Sequence, residues 1–503
     1  MATVPAVSRA DVSTRTRTRT RPDALLVVVA VAGGIVLRFA ARAHLWLDEA
    51  QSAATAALPL GDIAGALRSD GFPPLFYWLL HGWLTVFGEG DTAARSFAGV
   101  AGVLALGAVW LAGRELGGRR VAWAATAILA VSPFAIRYST EVRMYSLLLV
   151  VVALGAAAVL RALARPTWPV LAGVAAATGA LLLLHYWTVF LVAATAALLV
   201  ERAWRRRDAN ARRAVLAMAT GALAFLPWLG AFRYQLDHTG TPWSRGTNPF
   251  TAIEKTFSAW GGGPHVDARL LALVLVVLAV LGVVRGGPAV RALAAVAAGA
   301  LAAGVLVATA TGSAFQPRYT AVAFPLVVLV AAVGLASVAD QRRRTAVLGL
   351  VVVLGLVGGW RTAGDERTQA GEVTDVIEDR LAPGDVVAFC PDQLAPGVTR
   401  LLPEGTATIV FPTGEDGARV DWVDYEERNE RSRPEPFARD LLDRADAAGA
   451  AVWYVWSPNY RTYGTACEAL ERELEQSGRT GTRLVRRDRG VPERAWLTRY
   501  EPR

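Results

Sequence analysis

The stretch His44-Leu45-Trp46-Leu47-Asp48-Glu49-Ala50-Gln51 follows directly on the first long apolar run, about Ala24 to Ala40. A run of that length can cross a bilayer. Two adjacent carboxylates therefore stand just past a membrane exit, beside an indole and an imidazole. Carboxylates so close to hydrocarbon are costly unless they face a wet cavity or a partner. Two readings are open from these eight residues. Either Asp48 and Glu49 cap an interfacial helix, as acids often do, or Asp48 is a base for chemistry at the membrane surface.

The rest of the chain gives that surface its setting. The 503 residues are 53% hydrophobic and only 19% charged, against about 25% in soluble domains. Several runs without charge account for the deficit, which makes this a polytopic membrane protein. The formal charge of +9 is unevenly divided: residues 1–360 hold 32 basic and 16 acidic side chains, residues 361–503 the other 20 and 27. The arginines of the first part cluster between apolar runs, so nucleic acid is not the partner they imply; the lipid bilayer is.

After the first span, apolar runs are centred near residues 103, 128, 153, 176, 193, 222, 277, 300, 329 and 352. Together they make about eleven transmembrane helices of ~20 residues each. Arginine-rich loops alternate with arginine-poor ones. Arg114, Arg119 and Arg120, Arg161 and Arg165, the run 202–213, Arg285 and Arg291, and Arg342 to Arg344 all fall on one side. The positive-inside rule makes that side the cytoplasm. The N-terminus is then inside a plasma membrane, and an odd number of spans leaves the C-terminal part outside. Residues 1–22, with the run Thr14 to Arg21, read as a disordered basic cytoplasmic leader. Ala41-Arg42-Ala43 resembles a signal-peptide cleavage site, but the apolar run is longer than a usual h-region and many spans follow, which favours an uncleaved anchor.

The membrane part, 23–360, has two long external loops, about 42–91 and 232–269. The first contains Phe72-Pro73-Pro74-Leu75-Phe76-Tyr77-Trp78, where Pro74 suits a helix start. The second holds Trp243, Trp260 and Gly261-Gly262-Gly263, and reads as a flap or a plain connection. Residues 361–503 change character. Four β-like runs (385–390, 406–411, 451–456, 495–500) alternate with polar helical stretches (about 371–381, 436–448, 464–477), which predicts a small extracytoplasmic α/β domain. Both cysteines, Cys390 and Cys467, lie there; a disulfide and two separate buried thiols are equally compatible with the sequence.

Arginine is scarce in short external loops, yet Arg137, Arg143 and Arg318 are placed there, each beside a tyrosine: Tyr138, Tyr145 and Tyr319. The guanidinium fork suits phosphate oxygens; the plain alternatives are headgroup anchoring and pairing with Glu141. On a continuous helix, Arg137, Glu141 and Tyr145 would share a face. His44 and His81 share the first loop with Asp48 and are candidates for a divalent cation, though no ligand spacing supports one. There is no P-loop and no Asp-x-Asp pair for a nucleotide sugar's metal. An external site has no nucleotide sugars to use, so a sugar donor must arrive lipid-linked. Transfer from such a donor needs one carboxylate to take the acceptor proton and cations for the departing lipid phosphate. A single displacement inverts the anomeric centre.

Residues 24–360 resemble the GT-C superfamily of polyprenyl-phosphate-sugar-dependent glycosyltransferases. The likeness is greatest to the protein mannosyltransferase-like and ArnT-like branch (family 39), which includes actinobacterial membrane mannosyltransferases. The matching segments are Leu47-Asp48-Glu49-Ala50 after the first span, Phe72 to Trp78, Glu141-Val142-Arg143-Met144-Tyr145-Ser146-Leu147, and Pro317-Arg318-Tyr319. The resemblance implies catalytic duty for Asp48, with Glu49 and Glu141 as further acids, and donor-phosphate binding by Arg143, Arg318 and Arg137. Tyr145, Tyr319, Trp46, His44 and His81 would line the substrate pocket. It implies a polyprenyl-phosphate sugar as donor, a cell-envelope glycan, glycolipid or protein as acceptor, and a soluble external domain after the last span. The alternative is a transporter or lipid flippase, but transporters place polar groups at mid-bilayer on broken helices, and here the charges sit at span ends. A catalytically inert scaffold is the remaining rival.

Overall fold

A computed structural model describes residues 22–240, 246 and 248–503. Residues 1–21 of the basic leader and Trp243 lie outside the described residues. Helices occupy all eleven expected span centres. The centres near 103 and 128 share one segment, Asp91–Val131, which is broken at Gly117 and Gly118. Gly118 has φ of 74° and ψ of −169°, a region closed to side chains with a Cβ. A Cβ on Gly113 would stand 2.8 Å from Ala122 Cα, so the two halves pack closely beside the arginine-bearing turn.

Six helices among the described residues are long and apolar enough to span a membrane: Asp91–Val131, Tyr145–Ala164, Ala209–His238, Val266–Arg285, Pro288–Ala310 and Gln341–Gly364. Four more, Asp23–Leu37, Leu75–Phe87, Trp168–Leu184 and Phe324–Ala336, are apolar but shorter. Their outward faces carry exposed valine and leucine, such as Val277, Val280, Val284 and Leu306. A helix apolar on both its buried and its exposed face belongs in lipid, and the protein is a multi-pass membrane protein.

The loop 42–91, expected to be external, folds into helices Leu47–Ala57 and Leu60–Leu67, and Pro74 precedes the helix Leu75–Phe87 as expected. The second is the loop 232–269, read from the sequence as a flap or a plain connection. It holds the helix Pro249–Gly261, capped by the Asn248 side chain, and Trp260 donates to Thr320 Oγ1 at 2.9 Å.

Between residues 386 and 500 lies a five-stranded sheet of order β2-β1-β3-β5-β4. Its strands are β1 Val386–Cys390, β2 Ala407–Val410, β3 Val452–Trp456, β4 Gly481–Val485 and β5 Trp496–Tyr500. β1 pairs in parallel with β2 and β3, whereas β5 runs antiparallel to β3 and β4. β1 and β3 are buried on both faces and read as continuous apolar runs. The strand β4, Gly-Thr-Arg-Leu-Val, escaped the sequence reading because it is an edge whose first three residues, Gly481, Thr482 and Arg483, are exposed and read as loop. The helices Ala370–Glu378, Pro434–Ala448 and Ala466–Gln476 match the expected stretches. Cys390 and Cys467 form a disulfide that ties the end of β1 to the last of these helices.

Candidate active site

The helix Leu47–Ala57 begins at Trp46, whose carbonyl accepts from Glu49 N and Ala50 N at 2.9 Å. Trp46 offers no side-chain cap. The orphan amide of Leu47 is instead taken by Glu493 Oε2, 2.7 Å away in the C-terminal part. Asp48 and Glu49 sit in the first turn, where the helix dipole favours negative charge. Successive residues point about 100° apart on a helix, and the two acids meet different surroundings.

Asp48 lines a cavity of about 600 Å³ together with Trp46, Gln51, Asp70, Phe72, Arg143, His185, Arg318 and Tyr319. Its Oδ2 accepts from Arg318 Nη1 at 2.5 Å. Arg143 donates to Ser52 Oγ at 2.9 Å, reaches the Asp48 carbonyl at 3.4 Å, and lies over the Phe72 ring at 4.4 Å. Burial works against the charge on Asp48, but the guanidinium groups of Arg318 and Arg143 outweigh it and hold the carboxyl below the usual carboxylate range. The two arginines present cationic surface in a partly closed site, where it acts more strongly than in water.

Glu49 faces the other way and is fully buried. Arg95 grips it with two bonds, Nε to Oε1 at 2.9 Å and Nη2 to Oε2 at 2.7 Å. Val142 N donates to Oε1 at 3.0 Å, and Arg367 lies 3.5 Å from Oε2. Glu49, expected as a further catalytic acid, thus lies outside the cavity lining with both its oxygens bonded to protein, and its bond to Val142 ties it to the turn that carries Arg143. Glu141 is likewise buried outside the cavity lining, 3.3 Å from Arg137 and 3.8 Å from Arg367. Burial raises its pKa. The expected continuous helical face fails, since the helix Pro133–Ser139 ends before Glu141 and the next begins at Tyr145. Arg137 is thus a partner of Glu141 rather than a lining residue.

Of the predicted pocket residues, Trp46 and Tyr319 line the cavity. Tyr145 stands behind it, its ring 5.7 Å from His185, which in turn lies 5.3 Å from Tyr319. His44 is exposed and turned to Asp91 at 3.5 Å. His81 Nδ1 lies 2.8 Å from the Ala56 carbonyl. Neither histidine joins Asp48, and no cluster of three or more His, Cys, Asp or Glu suited to a metal occurs among the described residues.

Asp70 was missed, although it directly precedes the Gly71 to Trp78 segment. It lines the cavity, accepts from Tyr77 Oη at 2.7 Å and Gln51 Nε2 at 3.2 Å, and burial pushes its pKa up. Also unforeseen are Gln393, Trp422, Tyr460, Arg461 and Thr462, which the C-terminal part contributes to the same cavity. Gln51 bridges the two parts through Val420, whose N donates to its Oε1 at 2.8 Å and whose carbonyl accepts at 2.9 Å. Trp422 N donates to the Ser69 carbonyl at 2.9 Å.

Residues 72–230 match the family model described as Dolichyl-phosphate-mannose-protein mannosyltransferase. No curated protein matches the chain. Among solved structures, ArnT from Cupriavidus metallidurans in the apo state is similar at 16% identity and a TM-score of 0.64, covering 94% of this chain and 97% of that one. The same protein bound to undecaprenyl phosphate aligns at 14% identity and 0.60, with the same coverage. The Archaeoglobus fulgidus oligosaccharyltransferase in its apo form aligns at 12% identity and 0.55, over 87% of this chain and 70% of that one. The resemblance read from the sequence agrees with these findings: a mannosyltransferase family model matches residues 72–230, and the chain shares its fold with the ArnT structures over nearly its whole length.

Proposed function

We propose that this protein is an integral-membrane glycosyltransferase that moves one monosaccharide from a polyprenyl-phosphate donor to an acceptor in the cell envelope. The observation that carries the reading is the joint lining of one cavity by Asp48, Arg143 and Arg318, with Asp48 and Arg318 2.5 Å apart. The similar ArnT structure holds undecaprenyl phosphate, which supports a donor of that class.

In this reading the donor phosphate settles against Arg143 and draws Arg318 from Asp48. The freed carboxylate then accepts the proton of the acceptor hydroxyl as its oxygen attacks the anomeric carbon. The bond from that carbon to the phosphate oxygen breaks, and its electron pair leaves with the lipid phosphate, stabilised by the two guanidinium groups. With no enzyme nucleophile the anomeric configuration inverts. Glu49 and Glu141 serve as positioning residues, through Val142, Arg95 and Arg367. A second cavity, of about 440 Å³, is lined mostly by apolar side chains such as Val152, Leu181, Leu191, Val296 and Leu326, with Glu201, Arg202, Arg206 and Arg291 also in its lining; the apolar part suits an isoprenoid chain. The C-terminal sheet lies outside the cell and the N-terminus inside, following the arginine-rich loops. Mannose and arabinose are the donor sugars to try first.

The test is a panel of radiolabelled polyprenyl-phosphate monosaccharides incubated with the protein in membranes and envelope fractions. Label passing into envelope material is expected with at least one donor. No transfer from any donor, together with solute uptake into sealed vesicles, would replace the enzyme by a transporter.

A further inference from the structure

The chemistry of the cavity changes with the part of the chain that lines it. The membrane part supplies both lining carboxylates, Asp48 and Asp70, and the arginines Arg143 and Arg318 among neutral polar and aromatic groups, whereas the sheet-bearing part supplies chiefly neutral polar and aromatic groups. Its one lining cation, Arg461, is turned to Glu426 at 2.7 Å. An anionic donor phosphate has its partners on the first wall, and the second offers mainly neutral hydrogen-bonding and aromatic groups.

The second wall is built at a specific place in the sheet. β1 lies between β2 and β3 and is parallel to both. The chain leaves β1 toward β2 and leaves β3 toward β4 and β5, in opposite directions. The loops diverge at the carboxyl ends of β1 and β3, the position where open α/β sheets bind ligands. Gln393 comes from the loop after β1, and Tyr460 and Thr462 from the loop after β3. Trp422, from the segment after β2, is pinned through its backbone amide to Ser69 of the first external loop. Its ring rests 4.8 Å from that of Tyr425.

The polar atoms there are oriented and half-used. Gln393 is 6% exposed, and its Nε2 donates to Tyr425 Oη at 3.1 Å. Tyr425 in turn donates to Asp392 Oδ1 at 2.5 Å. The Gln393 carbonyl oxygen has no partner among the described residues and is left as an acceptor. Thr462 is 5% exposed and its Oγ1 accepts from Asn429 Nδ2 at 3.5 Å, which leaves its own proton to donate. One acceptor and one donor beside aromatic faces match vicinal hydroxyls and the C–H face of a sugar ring.

Resting on the glycosyltransferase reading, we infer that the carboxyl-end crevice of the C-terminal sheet is an acceptor subsite for a neutral glycan, held by Gln393, Trp422, Tyr460 and Thr462. A sugar bound there shares the cavity of Asp48, so its hydroxyl is presented to the base by a domain separate from the one that binds the donor.

The experiment uses the full chain in lipid nanodiscs. Calorimetric titration with mannotetraose, maltotetraose and a tetragalacturonate is run beside titration with undecaprenyl phosphate. At least one neutral tetrasaccharide is expected to bind in preference to the acidic one. Trp422→Ala and Thr462→Val should each weaken it about tenfold, the scale of one lost hydrogen bond or stacking contact, with undecaprenyl phosphate affinity unchanged. Trp422→Phe, which keeps a platform, should retain most of the affinity and guards against a misfolded alanine variant. No neutral binding, preference for the acidic probe, or affinity untouched by both substitutions overturns the inference while undecaprenyl phosphate still binds. Loss of undecaprenyl phosphate binding in the wild type strikes the proposed function itself.

Discussion

Glu49→Gln isolates positioning from chemistry. The wild-type carboxylate is fully buried and neutralises Arg95 through two bonds, with Arg367 3.5 Å away. Glutamine keeps the shape and removes the charge. Arg95 then loses its carboxylate partner at 2.7 Å, while Arg367 keeps Glu141 at 3.8 Å. Breaking one side of such a buried pair costs about 3–5 kcal/mol. One of the Glu49 oxygens also accepts from Val142 N, so the turn carrying Arg143 should loosen. The assay is thermal unfolding in detergent, read beside undecaprenyl phosphate affinity. The melting temperature is expected to fall by several degrees and donor-lipid affinity to drop together with it. Replacing both members by apolar groups, Glu49→Leu with Arg95→Met, should recover much of the thermal loss but not the affinity. A Glu49→Gln protein that melts and binds as wild type would refute the reasoning.

Further outcomes follow from the same geometry. Arg318→Gln removes a guanidinium that lowers the Asp48 pKa, so that pKa rises and the acid limb of the kcat/KM profile moves to higher pH; an unmoved limb contradicts the pairing. Burial pushes Glu493 up to about 7. The folded state therefore holds a proton there that the unfolded state has released, and stability falls as pH rises from about 4.5 through about 7. Glu493→Gln should flatten that part of a melting-temperature profile. The Cys390–Cys467 disulfide links positions 77 residues apart. Its removal by Cys467→Ser should cost about 2–5 kcal/mol, seen as a lower melting temperature that reductant no longer changes.

Periodicity and charge made the membrane helices legible, because every apolar run had to become a helix to satisfy its backbone in lipid. Likewise, β1 and β3 are buried and announce themselves, whereas β4 is an edge whose Thr482 and Arg483 look like loop. Within the site, Asp48, Arg143 and Arg318 could be read because charge at the end of an apolar span is conspicuous. Glu49 reads from the sequence as a further acid beside Asp48, because adjacency is all that the sequence offers. Only the 100° turn between them, and an arginine 46 residues away, separates a lining acid from a structural one. The histidines misled for the opposite reason: sharing a loop with Asp48 did not bring His44 or His81 to its cavity. Gln393, Trp422 and Thr462 carry no local signal, since they reach the cavity through contacts such as Gln51 to Val420, 369 residues apart.

The most direct measurement is single-turnover transfer with donor affinity determined on the same samples, wild type beside Asp48→Asn. The account predicts that the variant inserts normally and still binds the lipid-linked donor, yet transfers at least ~100-fold more slowly, the lower range for removal of a positioned base. Transfer at the wild-type rate by Asp48→Asn would contradict it.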